Sequence, residues 1–154
     1  MQTLGEQLIR HGYSLSSTES FTVGRFGAAI GAVPGISAVY KGSLTCYMTE
    51  IKRDVLGVDE DILNTYGSVS AQCAKDMCIK GRELFGSDIC VSFTGNAGPD
   101  VMEDKKVGEV YIGVDWMGGV DVHRYQLSGS RTEIAEKAVH IAEELLLKKL
   151  AESK

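Results

Sequence analysis

The strongest constraint on the fold of this chain is the run DICVSFTG at residues 88–95, which leads directly into the loop NAGPDVMEDKK. A compact apolar run of strand length, closed by glycine and proline, reads as a buried central strand. The sequence on either side of it alternates between helical and extended patterns. An amphipathic helix is expected from about Thr3 to His11, stopped at Gly12 by a residue suited to the left-handed cap. YSLSST alternates and reads as a short strand, and Phe21 to Val33 reads as a helix broken by Pro34-Gly35. AVYKGSLTCY (38–47) has strand composition. TEIKRDVLG (49–57) is expected to form a short helix ending at Gly57, with Asp59 capping a brief turn through Leu63. Ser70 is placed to cap a longer helix that carries Cys73, Ala74, Met77, Cys78 and Leu84 and ends at Gly86. After the central strand, GEVYIGVDW and VDVHRYQL, joined through Met117-Gly118-Gly119, read as an antiparallel hairpin. The last helix opens on a capping-box pattern, Ser130 with Glu133, and lines Ile134, Ala138, Ile141 and Leu145 along one face.

That order of elements predicts an α/β fold: a three-layer α/β/α sandwich on a mixed, mostly parallel sheet with one late hairpin. No repeat, low-complexity segment or linker interrupts the chain, so residues 1–154 are expected to form a single domain. Ligands of open α/β sheets gather where strands end and loops begin. Three loops are then of interest: around Ser17–Phe21, around Thr94–Asp100 and around Ser128–Arg131.

The formal charge of −5 argues against a general nucleic-acid or anionic-membrane surface. It leaves room for a small phosphorylated ligand, which one arginine or a helix N-terminus can hold. Cys46, Cys73, Cys78 and Cys90 form no CxxC and no small-scaffold spacing, and read as reduced thiols. His11, His123 and His140 are scattered without zinc spacing, so neither a metal site nor a cofactor is expected. MQTLGEQLIRHG lacks the apolar core of a signal peptide, and no apolar run reaches transmembrane length. A cytoplasmic location is the expectation.

Several motifs carry two readings from the residues alone. Gly24, Gly27 and Gly31 form neither GxGxxG nor a Walker A loop, and serve either close helix–sheet packing or a phosphate cradle. TGNAGP (94–99) is either a structural turn or one whose backbone N–H groups face a ligand. Lys52, five residues after Tyr47, reads on its own as a solvated helix lysine. Arg131 stands in the first turn of the last helix, where a cation opposes the helix dipole; a bound anion would relieve that conflict. Ser20, in STESFTVG, is either a helix cap or a nucleophile.

Taken in order, STESFTVG (17–24), CYMTEIKRDVLGV (46–58), YGSVS (66–70), FTGNAGP (93–99), VGEVYIG (107–113) and SGSRTEIA (128–135) resemble the motifs of the CinA C-terminal family, the nicotinamide mononucleotide amidases of the PncC type. That family's pattern runs roughly TAESCTGG, AYSNEAK…LGV, HGAVS, VTGIAGP, VGTVWIA and GDRxxIR. The resemblance spans nearly the whole chain and matches the stand-alone amidase form. It implies deamidation of nicotinamide mononucleotide to nicotinic acid mononucleotide and ammonia, a small pyridine nucleotide as partner, and a homo-oligomer of dimer size or larger. It places the nucleophile on Ser20, with Lys52 and Tyr47 as its catalytic partners. It places substrate contacts on Thr22, Gly24, Thr94, Gly95, Gly98 and Arg131. In those roles a neutral Lys52 would serve as base, which requires its pKa to fall through desolvation or nearby positive charge such as Arg131. Tyr47 would relay the proton or orient Lys52, and Arg131 would support catalysis or bind the phosphate. Phe21 stands at the family's cysteine and Val23 at the first glycine of its pair, adding bulk beside the nucleophile. Met48, Thr49 and Ile51 also depart from the family, and the glycine-rich stretch after AGP becomes DVMEDKK. These departures leave an alternative: a non-catalytic nucleotide-binding or interaction module on the same fold.

Overall fold

A computed structural model describes residues 1–153 of the chain. Five strands form one sheet in the order β2-β1-β3-β4-β5: β1 (Leu15–Glu19), β2 (Tyr40–Thr45), β3 (Ile89–Gly95), β4 (Glu109–Trp116) and β5 (Gly119–Gln126). β2, β1 and β3 run parallel, and β4 and β5 continue the sheet as an antiparallel hairpin. Helices α1 (Gln2–His11), α2 (Arg25–Gly31) and α6 (Arg131–Glu152) cover one face. The long α5 (Ala71–Phe85) packs on the other, with the short α3 (Thr49–Ile51) and α4 (Glu60–Tyr66) at its side. The expected sandwich and mixed sheet are therefore present. No described helix is long and apolar enough to cross a membrane.

The two faces of the sheet are held by different chemistry. Towards α1, α2 and α6, strands β3 and β4 present Ile89, Val91, Phe93, Val110, Ile112 and Val114, which merge with Phe26, Ile134, Ala138 and Leu146 into one apolar core. Towards α5 the residues are small and polar. Thr18 Oγ1 donates to the Met77 carbonyl at 3.3 Å and Ser92 Oγ to the Ala74 carbonyl at 2.6 Å. A Cβ on Gly81 would lie 2.6 Å from both Cys90 Sγ and Thr18 Cγ2, and one on Gly113 would lie 2.5 Å from Ser92 Oγ. Glycine at these positions is what lets the helix lie against the sheet at hydrogen-bonding distance.

Three local expectations change. β1 is buried on both faces rather than half-buried, although it reads LSSTE. Its hydroxyls find partners inside the protein, Ser16 with Ser87 and Ser17 with Tyr40, which removes the penalty that unpaired polar groups would impose. The helix expected from Phe21 begins only at Arg25, because residues 21–24 form a turn that ends with Gly24 at φ 83°. The segment expected as the helix 49–57 starts as α3 and widens into a π-helical stretch, Lys52–Leu56, before Gly57 stops it at φ 86°. The remaining caps fall where the side chains predict: Asp59 accepts from Asp61 N, Ser70 from Cys73 N, and Ser130 and Glu133 form a reciprocal box.

Candidate active site

The strand order reverses between β1 and β3: the chain leaves β1 for β2 on one side, then returns to place β3 on the other. Crevices at such switch points, beyond the carboxyl ends of the strands, are where open α/β sheets bind ligands. Here the ends of β1, β2 and β3 deliver Ser20, Tyr47 and the loop from Asn96 to one cavity of about 520 Å³. Its walls also carry Phe21, Met48, Glu50, Lys52, Ser68, Thr94, Met102, Glu103 and Arg131.

Ser20 follows directly on β1 and is nearly buried, at 6% exposure. Its position is set by Glu19, whose fully buried carboxylate accepts from Thr22 Oγ1 (2.7 Å), Phe26 N (3.1 Å) and Gly27 N (3.0 Å). One acid thus ties the turn after the serine to the first residues of α2. Val23 N closes that turn on the Ser20 carbonyl at 3.1 Å. The backbone N–H groups of Phe21 and Thr22 donate to no protein acceptor among the described residues. Val23 itself adopts φ 46°, a left-handed conformation that a β-branched side chain resists, which explains a glycine at this position in the family pattern. Val23 is half exposed and is not part of the cavity lining. Phe21 both lines the cavity and belongs to the apolar core, at 4% exposure.

Lys52 is not a solvated helix lysine. The first residue of the π-helical stretch, it points inward at 2% exposure while Arg53, Asp54 and Val55 face solvent. Its Nζ lies 2.8 Å from Ser20 Oγ and donates to the Tyr47 carbonyl at 2.9 Å; Ser20 Oγ is 3.3 Å from that same carbonyl. Burial holds the Lys52 amine below the usual lysine range, against the opposing pull of Cys46, Cys73 and Glu103. The thiols add little negative charge: burial pushes Cys46 up, and Cys73 up to about 12, so both stay protonated. Desolvation, rather than the positive charge of Arg131, is therefore what lowers Lys52.

Tyr47 contributes its carbonyl to the Ser20–Lys52 pair and its hydroxyl to Arg131, whose guanidinium donates to that hydroxyl and to the Gly98 carbonyl. Arg131 thereby joins the start of α6 to the loops after β2 and β3. Thr94 lines the cavity, but its hydroxyl donates to the Ser68 carbonyl at 2.5 Å. Gly95 is glycine because β4 crosses close by: a Cβ there would lie 2.6 Å from Val110 Cγ1. Gly98 sits at φ 81° behind the cavity wall, and Thr22 and Gly24 likewise lie behind it, Thr22 fully buried on Glu19. Six of the nine residues expected at the site, namely Ser20, Tyr47, Lys52, Thr94, Gly95 and Arg131, line the cavity together.

Asn96, Glu103, Glu50 and Met102 are among the wall residues to which the sequence assigned no site role. Asn96 holds the loop after β3, its Oδ1 accepting from Gly98 N (2.9 Å) and its Nδ2 donating to the Asp100 and Lys105 carbonyls. An Asn two residues before Gly-Pro is a recognisable turn-former, so this role was readable. Glu103 reaches back across the cavity mouth to accept from Ser68 N, Ser68 Oγ and Val69 N. Glu50, which stands at the glutamate of the family's AYSNEAK pattern, and Met102 also line the wall.

Comparison with known proteins finds relatives in both sequence and fold. The family model described as the CinA C-terminal domain matches residues 1–150. Curated relatives named competence-damage inducible protein include one from Bacillus velezensis, 39% identical over 150 residues, which cover 97% of this chain and 36% of the relative. The protein of that name from Bacillus subtilis is 39% identical over 139 residues, covering 90% of this chain and 33% of the relative. The chain thus spans about a third of the curated relatives it matches. Among solved structures, a CinA superfamily protein from Klebsiella pneumoniae 700603 superposes with a TM-score of 0.95 at 30% identity, covering 98% of this chain and 95% of its own. The competence/damage inducible protein CihA from Agrobacterium tumefaciens gives 0.89 at 32% identity, covering 96% and 93%.

Proposed function

The chain belongs to the CinA C-terminal domain family, and from that premise we propose that it is an amidohydrolase that deamidates nicotinamide mononucleotide by a serine–lysine mechanism. The observation that carries the reading is the 2.8 Å approach of the Lys52 amine to Ser20 Oγ inside a cavity of ligand size. An amide is a poor electrophile, and a serine hydroxyl needs a base to attack it. A buried amine whose proton affinity is lowered is such a base near neutral pH.

With Lys52 neutral, Ser20 Oγ–H donates to Nζ while an Nζ–H stays on the Tyr47 carbonyl. The Oγ adds to the carboxamide carbon as its proton passes to Nζ. The N–H groups of Phe21 and Thr22, which follow Ser20 and have no protein acceptor among the described residues, are candidate donors for the developing oxyanion. As the C–N bond breaks, Lys52 returns the proton to the leaving nitrogen and ammonia departs. Water then adds to the Ser20 ester, giving its proton to Lys52, and Ser20 leaves with that proton as the carboxylic acid forms. One water is consumed and one ammonia released per turnover.

Ammonia release from nicotinamide mononucleotide tests the reading. Wild-type turnover is expected, with loss of at least about a thousandfold in Ser20→Ala and in Lys52→Ala alike, since paired catalytic groups act as a unit. Turnover that survives Ser20→Ala rejects the mechanism. Nucleotide binding without any turnover moves the protein to the binding-module reading.

A further inference from the structure

The catalytic cavity carries an unusual balance of charge for a site that holds a phosphorylated ligand. Its lining includes two cations and two carboxylates: Lys52, Arg131, Glu50 and Glu103. Lys52 acts as a base only when neutral, and the Arg131 guanidinium already donates to the Gly98 carbonyl and the Tyr47 hydroxyl. Glu50 has no hydrogen-bond donor or salt-bridge partner among the described residues, while Glu103 is fixed at the mouth by Ser68 and Val69. Lys105 and Lys106, next along the same loop, are not part of the lining. The other side chains of the wall include Phe21, Tyr47, Met48 and Met102.

Two carboxylates beside aromatic and thioether groups suit a cationic ring, because the ring is attracted by the acids and by the aromatic faces while its apolar edge is covered. A phosphate dianion in the same space would meet both acids with one committed arginine to offset them. Glu50 stands at the glutamate of the AYSNEAK pattern, whereas Met102 and Glu103 are particular to this chain: they occupy the stretch that is glycine-rich in the family pattern, and Glu103 holds φ 54°, a conformation that favours glycine. We propose that the site recognises its substrate through the permanent positive charge of an N-substituted pyridinium carboxamide, with Glu50 and Glu103 as specificity-determining residues, and that a 5′-phosphate is dispensable. This rests on the amidase reading.

Ammonia release is measured on four compounds: nicotinamide mononucleotide, nicotinamide riboside, N1-methylnicotinamide and free nicotinamide. The riboside is expected within about tenfold of the mononucleotide in kcat/KM, a difference of 1.4 kcal/mol at most. N1-methylnicotinamide, which differs from free nicotinamide chiefly in charge, is expected to exceed it by at least about thirtyfold through ion pairing and cation–π contact. Glu50→Gln should lower the ratio of kcat/KM for N1-methylnicotinamide to that for free nicotinamide about fivefold, a change in ratio that a structural defect would not produce. A riboside more than a hundredfold worse than the mononucleotide, or no preference for the methylated ring, overturns the inference and leaves the amidase intact. Silence on all four compounds removes the amidase reading and this inference with it.

Discussion

Replacing Lys52 by methionine should abolish activity and yet stabilise the protein at neutral pH. The lysine is 2% exposed, and burial lowers its pKa from the 10.5 of a free side chain. The folded state therefore binds its proton less tightly than the unfolded chain does. The contribution to stability is complete above pH 10.5 and is lost as pH falls through the interval down to the folded value. Methionine has similar length and no charge to desolvate, and apolar replacement of buried charge is often worth about 1–4 kcal/mol. The hydrogen bonds lost are cushioned by the site itself, because Ser20 Oγ lies 3.3 Å from the Tyr47 carbonyl and keeps that acceptor satisfied. A net gain of about 1–2 kcal/mol at pH 7 is expected, or a rise in Tm of about 2–8 °C for a domain of this size. Urea unfolding of both proteins from pH 6 to pH 10 measures it. The advantage of Lys52→Met should shrink as pH rises, with a slope of up to about 1.4 kcal/mol per pH unit. A variant that is less stable throughout, or an advantage that does not move with pH, would refute the account of Lys52 as a strained, desolvated base.

Two further substitutions test the frame around the site. Gly113→Ala places a methyl 2.5 Å from Ser92 Oγ and 2.7 Å from the Ala74 carbonyl, and should cost about 1–3 kcal/mol in urea unfolding through forced separation of α5 from the sheet. Glu19→Gln sets an amide NH₂ against the Phe26 or Gly27 N–H, both of which now point at a carboxylate; a loss of about 1–3 kcal/mol is expected, together with a fall in kcat as the Ser20 turn loosens.

What local chemistry determines was readable without coordinates. The Ser130–Glu133 box, the Ser70 cap and the Gly12 and Gly86 stops depend on a few adjacent residues, and each element ends where they stand. The start of α2 was not readable in the same way, because Phe21 to Val33 has helical composition throughout. The turn before Arg25 exists because Glu19 reaches three donors across it, a contact that periodicity does not register. Lys52 was harder still. In isolation it belongs on a wet helix face, and only the wide π-helical turn and the buried pair Cys46 and Cys73 carry it inside. The ordered resemblance to a family brought Ser20, Tyr47, Lys52, Thr94 and Arg131 into one list. It did not reveal that Tyr47 serves Lys52 through a carbonyl, or that Glu50 and Glu103 wall the cavity.

The contact between α5 and the sheet has a consequence at a distance. Apolar layers tolerate small displacements, because dispersion between alkyl groups varies little as one slides over another. The hydroxyl-to-carbonyl bonds of Thr18 and Ser92, with Gly81 on the helix and Gly113 beneath it, admit one longitudinal setting of α5. The helix begins at Ala71, immediately after the segment whose Ser68 carbonyl accepts from Thr94 and whose Ser68 and Val69 N–H groups donate to Glu103. The helix thus works as a gauge rod fixed at its far end, transmitting the spacing set around Gly81 to the rim that admits substrate. Enlarging Gly81 should therefore register as a change in KM at a site from which it is separated by most of the helix.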